Sequence, residues 1–305
     1  MMNVLTDSLA FILPLLIMAI GGIFSEKSGV TNLALEGLQG FGAFAGAVAA
    51  TLCAAHFAAG STAPFYIALL CAVIGGAVFS LIHAVLCIRF RADQVVSGVV
   101  INLFSLALTT YLAKHFNRLF FHTAQNRINL DVAPQLVKGL YTYELIIIAL
   151  AGVCWFILYR TRFGLRLRAC GDNPNAVDAA GLSVERIRYL AVIISGALSG
   201  LAGICFAYSI TGNFSSAVYM GYGYLSIAAL IFGNWTILPT LKACLLFGFA
   251  KYLGYELVKH LNMPSSYSDL VMILPYAITL ILLIFYSGST RAPRALGEAF
   301  DKGKR

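Results

Sequence analysis

The stretch Arg160-Thr-Arg-Phe-Gly-Leu-Arg-Leu-Arg-Ala-Cys-Gly-Asp-Asn-Pro-Asn-Ala-Val-Asp-Ala-Ala-Gly181 decides how this chain is folded. It lies in a hydrophilic loop, 159–188, between the apolar segments 142–160 and 188–211. Each segment has roughly the 20 residues that a helix needs to cross a bilayer. Asp172 or Asn173 is a good N-cap, and Pro174 then fits the first helical turn. Ala176, Val177, Ala179 and Ala180 favour a short helix, which Gly181 can stop. The stretch therefore reads as a compact helix of small residues between two basic flanks, lying at a membrane surface. Small side chains would let such a helix enter a groove on another protein closely. Spacing alone equally allows an ordinary amphipathic connector.

Working outward, further apolar segments fall at 4–24, 30–54, 64–88, 93–113, 222–236, 238–258 and 267–287. The chain has 305 residues, 60% of them hydrophobic and only 11% charged. A soluble domain carries about 25% charged residues. A chain this poor in charge could not cover a water-facing surface, whereas lipid tails ask for no such cover; the mean hydropathy of +0.84 agrees. The expected fold class is all-α: a polytopic transmembrane bundle of about eight to ten spans filling 1–290. The loop 159–188 projects from it, and a basic tail, 291–305, follows it. The first segment has no basic region before it and no convincing cleavage site after it, so it reads as a retained span. Segment 222–236 is short and rich in glycine and aromatics, and 30–54 carries Asn32, Glu36, Gln39 and several glycines. Both are candidates for broken or re-entrant helices, which lipid tolerates only where protein or a water-filled path surrounds them.

Orientation follows from Lys and Arg. With 159–188 in the cytoplasm, alternation puts Lys27, Arg89, Arg91, Arg160, Arg162, Arg166, Arg168, Arg186, Arg188, Arg291, Arg294, Lys302, Lys304 and Arg305 on one side. Lys114, Arg118, Arg127, Lys138 and Lys259 fall on the other. The excess predicts a cytoplasmic C-terminus in the cytoplasmic (inner) membrane. It also explains the net charge of +8 without nucleic acid as a partner. The second hydrophilic loop, 114–141, with His115, His122, Asn117, Asn126 and Pro134, would form a partly ordered external cap.

Several chemistries are missing from the pattern. The seven cysteines include no CxxC pair; six sit in or at the ends of apolar segments and Cys170 in the basic loop. The histidines at 56, 83, 115, 122 and 260 have no metal-ligand spacing. No GxSxG occurs, so no catalytic residues, metal or cofactor are expected. No GxxxxGK[ST] occurs either, so this chain has no ordinary cradle for ATP phosphates.

Polar groups inside apolar segments are the candidate solute path: Asn32, Glu36, Asn102, Asn213, Ser226 and Asn234, with Gln39, Ser105, Ser195 and Ser199 nearby in sequence or segment. Glu36 follows Asn32 by four residues, which would put both on one helical face. The alternative for each is hydrogen bonding between helices, and for Asn32 and Glu36 capping of a broken helix. Tyr219, Tyr222, Tyr224 and Trp235 could stack on a planar solute or form an interfacial belt. Gly42 with Gly46, and Gly196 with Gly200, are GxxxG pairs that signal close helix packing.

Three blocks carry a resemblance. Gly171 to Gly181 looks like the coupling-helix loop of permeases from ribose-type and branched-chain-amino-acid-type ABC importers. Gly21-Gly-Ile-Phe-Ser-Glu-Lys-Ser-Gly-Val-Thr-Asn-Leu-Ala-Leu-Glu-Gly37 resembles the start of that superfamily's sugar and nucleoside branch. Gly221-Tyr-Gly-Tyr-Leu-Ser-Ile-Ala-Ala-Leu-Ile-Phe-Gly-Asn-Trp235 resembles a third block. They occur in the family's order, and the resemblance runs from about residue 8 to 290. The family usually follows the Gly-Asn-Trp block with Pro-Gly, where this chain has Pro239-Thr240, leaving helix packing open at that place.

The resemblance implies a permease that moves nucleosides, or alternatively ribose or another simple sugar, by alternating access. Its implied partners are an ATP-binding subunit, a second permease chain (a related chain or a copy of itself), an extracytoplasmic solute-binding lipoprotein and membrane lipid. Asp172, Asn173, Pro174, Ala176, Ala180 and Gly181 would couple to the ATPase. An ion-driven secondary transporter would need charged residues at mid-membrane depth, for which Glu36 is the one plausible candidate.

Overall fold

The computed structural model describes residues 2–58, 60–137, 140–216, 220–260, 273, 276–278, 281 and 291–301. In chain order it contains α1 (Met2–Glu26), α2 (Leu35–Ala54), α3 (Ala63–Ala84), α4 (Gln94–Phe121), β1 (Arg127–Asn129), β2 (Gln135–Val137), β3 (Leu140–Tyr141) and α5 (Thr142–Arg160). These are followed by α6 (Arg162–Asp172), α7 (Pro174–Ala179), α8 (Val184–Phe206), β4 (Asn213–Ser215), α9 (Tyr222–Phe232) and α10 (Ile237–His260). Single π-helical turns, Val85–Arg89 and Ala207–Thr211, extend α3 and α8. Among the described residues seven helices are long and apolar enough to cross a membrane: α1, α2, α3, α4, α5, α8 and α10. The expected segment 267–287 lies, but for five residues, outside the described ones.

Burial separates the helices into layers. Ile17, Met18, Ala19, Ile20 and Ile23 of α1 are completely enclosed, as are Ala191, Ala202, Ile204 and Cys205 of α8. On α4, by contrast, Val95, Val96, Val99, Val100 and Leu103 are exposed, and on α5 so are Ile148, Val153 and Phe156. Apolar faces of this extent are unstable in water and ordinary in lipid.

The centre is a close crossing of α2, α3 and α8. A Cβ on Gly42 would strike Gly200 and the Ala72 carbonyl, and one on Gly196 would strike Gly76 and Ser80. Both GxxxG pairs thus meet at the same crossing, where only glycine lets the backbones approach.

Backbone interruptions are answered by side chains. Pro14, inside α1, cannot donate to the carbonyl four residues back. The hydroxyl of Ser209, on the π turn after α8, donates to that Ala10 carbonyl at 3.3 Å. Segment 30–54 does break: the chain leaves helix after Glu26 and resumes it at Leu35. Asn32 therefore lies in the break and Glu36 in the first turn of α2, which corrects the expectation of one shared helical face. No proline marks the break, and it is held open by side chains from other helices. Segment 222–236 holds only the 11-residue α9, too short to span. Its end turns through Asn234 and Trp235, both left-handed with φ of 48° and 53°. In α10, Pro239 occupies the first turn, where it is tolerated, and Thr240 is buried against Gly233, so its side chain fills the space a glycine would leave.

Two further differences concern the hydrophilic stretches. α4 runs on to Phe121, so the loop 114–141 begins as helix and only then turns into short strands. β1 pairs antiparallel with β4, with Ile128 opposite Phe214, and β2 pairs with β3. Residues 162–172, read from sequence as basic loop, form α6, which the Thr161 hydroxyl caps at the Gly164 N–H. Alternating arginines disguised an amphipathic helix whose Leu167 and Cys170 are buried.

Candidate functional site

The polar residues of the apolar segments converge on the break between α1 and α2. The Asn32 side chain accepts from the Ala34 N–H at 3.1 Å and donates to Ser195 Oγ at 2.9 Å. Asn102 of α4 accepts from the Gly37 N–H at 2.7 Å and donates to the Leu33 carbonyl at 2.8 Å. Gln94 accepts from the Thr31 N–H at 2.6 Å, His83 Nε2 lies 3.0 Å from the Thr31 carbonyl, and Ser105 Oγ donates to the Gly37 carbonyl at 2.6 Å. Irregular backbone inside a bundle has no water to satisfy it, so neighbouring helices must supply its partners.

Glu36 performs the same service for α9. One carboxyl oxygen accepts from the Gly221 N–H at 2.8 Å, and the carboxyl also meets the backbone N–H groups of Gly223 and Tyr224. α9 begins at the left-handed Gly221 with no side-chain cap of its own. An acidic group from α2 therefore caps it and complements the positive end of its dipole.

Beside these clamps lies a cavity of about 180 Å³, lined among others by Glu36, Gly40, Asn102, Thr109, Ser216 and Tyr224. Of the six candidate solute-path residues it brings together Glu36 and Asn102. Asn32 is sealed in the break. Asn213 sits in β4, Ser226 donates within α9 to the Gly223 carbonyl at 2.7 Å, and Asn234 accepts from the Arg291 N–H at 2.8 Å. Among the aromatics, Tyr224 is half-exposed at the cavity, and its phenol oxygen accepts from Asn102 Nδ2 at 3.2 Å. Tyr222 is buried and stacks on Phe206 with ring centroids 4.7 Å apart. Trp235 is buried and donates to Glu26, and Tyr219 lies outside the described residues. Thr109, inside α4, and Ser216, just after β4, were not singled out from sequence, because a lone hydroxyl carries no periodic signal. Gln39 is completely buried, and neither amide atom has a partner among the described residues.

At the second candidate region, Asn173 is the N-cap of α7: its side chain accepts from the Ala176 N–H at 3.1 Å, and Pro174 opens the helix. The helix closes at Gly181, whose φ is +78° and whose N–H donates to the Asp178 carbonyl. Val177 is buried against the bundle, while Asp172, Asn173, Ala176, Ala179 and Ala180 are exposed. α7 thus presents a face of small side chains. Beneath it, desolvation lowers the pKa of Lys27, opposed by the nearby Asp172 carboxylate. Burial pushes the Cys170 thiol up, opposed by the nearby Arg188 guanidinium. Among the described residues no cluster of His, Cys, Asp or Glu could hold a metal ion.

Comparison with known proteins gives the same outline. Residues 4–283 match the family model described as branched-chain amino acid transport system / permease component. The guanosine ABC transporter permease protein NupQ of Bacillus subtilis is 38% identical, covering 98% of this chain and 96% of that protein. The nucleoside ABC transporter permease protein NupC of Lactococcus lactis subsp. cremoris is 36% identical, covering 99% and 97%. A putative glucose ABC transporter permease of Haloferax volcanii is 29% identical, covering 77% and 71%.

Proposed function

This chain belongs to the family of branched-chain amino acid transport system permease components, and on that premise we propose that it is the membrane subunit of an ATP-driven nucleoside importer. As a permease component it is a transport subunit and not an enzyme. The observation that carries the nucleoside reading is end-to-end similarity to two permeases named for guanosine and nucleoside transport. The sugar alternative rests on relatives named for glucose that are less similar, at 29% and 23% identity.

The cavity is the proposed solute contact. Its 180 Å³ falls below the roughly 300 Å³ at which ligand pockets usually begin. That suits one half of a path completed by a second permease chain. The half-exposed Tyr224 ring offers a stacking surface for a base. Its hydroxyl, already accepting from Asn102, keeps its own proton to donate. Glu36 and Asn102 hold the wall in shape through the backbone bonds described above. The clamp at the break is then what lets a non-helical segment border a polar path.

The site of work is α7. Its small exposed residues suit a groove on an ATP-binding subunit at the cytoplasmic face. Closure of that subunit on ATP would push α7 and tilt the helices attached to it, a rigid-body form of alternating access. Asp172, Asn173, Pro174, Ala176, Ala180 and Gly181 are the proposed contact. An extracytoplasmic lipoprotein would deliver solute at the opposite face, and the tail 291–305 would lie in the cytoplasm.

The test is uptake by proteoliposomes holding this chain, a second permease chain and the ATPase, with the binding lipoprotein supplied outside. Labelled guanosine should enter with ATP, and labelled ribose should not compete. Replacing Ala176 and Ala180 together with glutamate should abolish uptake by blocking the groove. Uptake driven by a proton or sodium gradient with the ATPase omitted would overturn the reading.

A further inference from the structure

We propose that Arg188 and the C-terminal segment 291–301 form a strap that fixes the α6–α7 unit to the α1–α2 break, so that a push on α7 reaches the wall of the solute cavity. This rests on the coupling role given to α7 above. The C-terminal part of the strap lies beyond residue 283, where the family match ends.

Each end of the segment is clipped to a different part of the bundle. At its start, the Arg291 N–H donates to Asn234 Oδ1 in the α9–α10 turn at 2.8 Å. In its middle, the Ala295 N–H donates to the Gly171 carbonyl in the last turn of α6 at 2.8 Å, and the Gly297 N–H donates to the Gly29 carbonyl at 3.1 Å. At its end, Asp301 pairs with Arg91, on the link between α3 and α4, at 2.9 Å. One short segment thus touches the coupling unit, the turn that opens the break, and the exits of α3 and α9.

Arg188 is the buried member of this arrangement, with 2% of its surface exposed. Its Nε donates to the Ser28 carbonyl at 3.2 Å and its Nη1 to the Glu298 carbonyl at 2.9 Å, and its charge also acts on Cys170 of α6. A planar guanidinium can serve divergent partners at once, which a lysine ammonium on a flexible stem cannot do in the same geometry. α6 is also seated directly on the turn: a Cβ on Gly171 would collide with the Lys27 carbonyl. The path from α7 is therefore short. It runs through Gly171 to Lys27 and Gly29, then along the break to Asn32, Leu33 and Glu36, and Glu36 caps the helix that carries Tyr224. Arg188 acts through these groups and is a positioning residue.

Two readouts separate this idea from a purely structural role. In the reconstituted importer, ending the chain after Thr290 should cut uptake at least tenfold while ATP hydrolysis stays within about twofold. Arg188→Met should behave alike, and Arg188→Lys should retain part of the uptake. Glu298→Ala should be silent, because the contact is made by the carbonyl. Independently of transport, amide hydrogen exchange across 171–181 in the purified chain should speed up in Arg188→Lys. If the truncated chain fails to assemble, Arg188→Lys decides by the same two readouts. An unchanged ratio of uptake to hydrolysis, or unchanged exchange at 171–181, would overturn the strap. Failure of the unaltered protein to import with ATP would instead sink the coupling role of α7 while leaving the exchange result to stand.

Discussion

Glu36 shows how one carboxyl can decide the shape of a cavity wall. It reaches from the first turn of α2 to three backbone N–H groups at the start of α9. Glu36→Ala would leave those donors buried without a partner, at a cost of about 1–3 kcal/mol. Glu36→Gln keeps an acceptor oxygen and should lose much less. The expected order of thermal midpoints in detergent is therefore wild type, then Gln, then Ala. A Gln variant as unstable as Ala would mean that charge and not hydrogen bonding holds α9. The sequence already offered capping of a broken helix as one reading of Glu36. What it could not reveal was the partner, because Gly221 is 185 positions away. For Asn102 the difficulty was the same: its partners, Leu33 in the break and Gly37 on α2, lie 69 and 65 positions away, and only the break gives them a need for it.

At the scale of the element, glycine was the readable signal. The two GxxxG pairs announced a close crossing, and α2, α3 and α8 make it. Gly200→Val should therefore prevent folding, since even a Cβ would meet the Ala72 carbonyl and Gly76. Gly152→Val, on the exposed side of α5 with nothing within 4 Å of an added Cβ, should leave the protein intact. Size-exclusion profiles of the two variants check this; a monodisperse Gly200→Val protein would show that the crossing can spread. The short helix α7 was also readable, because its signals are local: an Asn cap, a proline in the first turn and a glycine after the last. α6 was not. Its pattern of four arginines from Arg160 to Arg168 resembles a loop until the burial of Leu167 and Cys170 is known, and burial is a tertiary fact. The break before α2 was expected from the polar residues and glycines of 30–54, but its exact place was not, since no residue in it forbids helix.

For the whole molecule, composition was enough to call for lipid, and charge bias proposes an orientation that labelling can test. The structure adds that the turn at Gly29, the end of α6, the start of α8 and the segment 291–301 all meet at one end of the bundle. These ties are made by main-chain carbonyls, which any residue possesses, so no pattern in the sequence marks them. They make a topological test sharper. The cysteine of the basic stretch, Cys170, is completely buried and is a poor reporter. Exposed positions should be used, in a chain whose partly exposed Cys53 and Cys71 are first replaced by serine. Ala180→Cys, after α7, should react with a membrane-impermeant maleimide only in inverted vesicles. Val132→Cys, 89% exposed at the opposite loop, should react only in intact cells. An alanine-to-cysteine change at the exposed Ala292 should follow Ala180 in sidedness, because three residues further on the Ala295 N–H is bonded to Gly171 at the end of α6. If Ala180 labelled from outside, the positive charge would face the wrong way and no cytoplasmic motor could reach α7. If Ala180 and Ala292 labelled from different sides, the single end that joins them would not exist in the membrane, and the strap would be excluded with it.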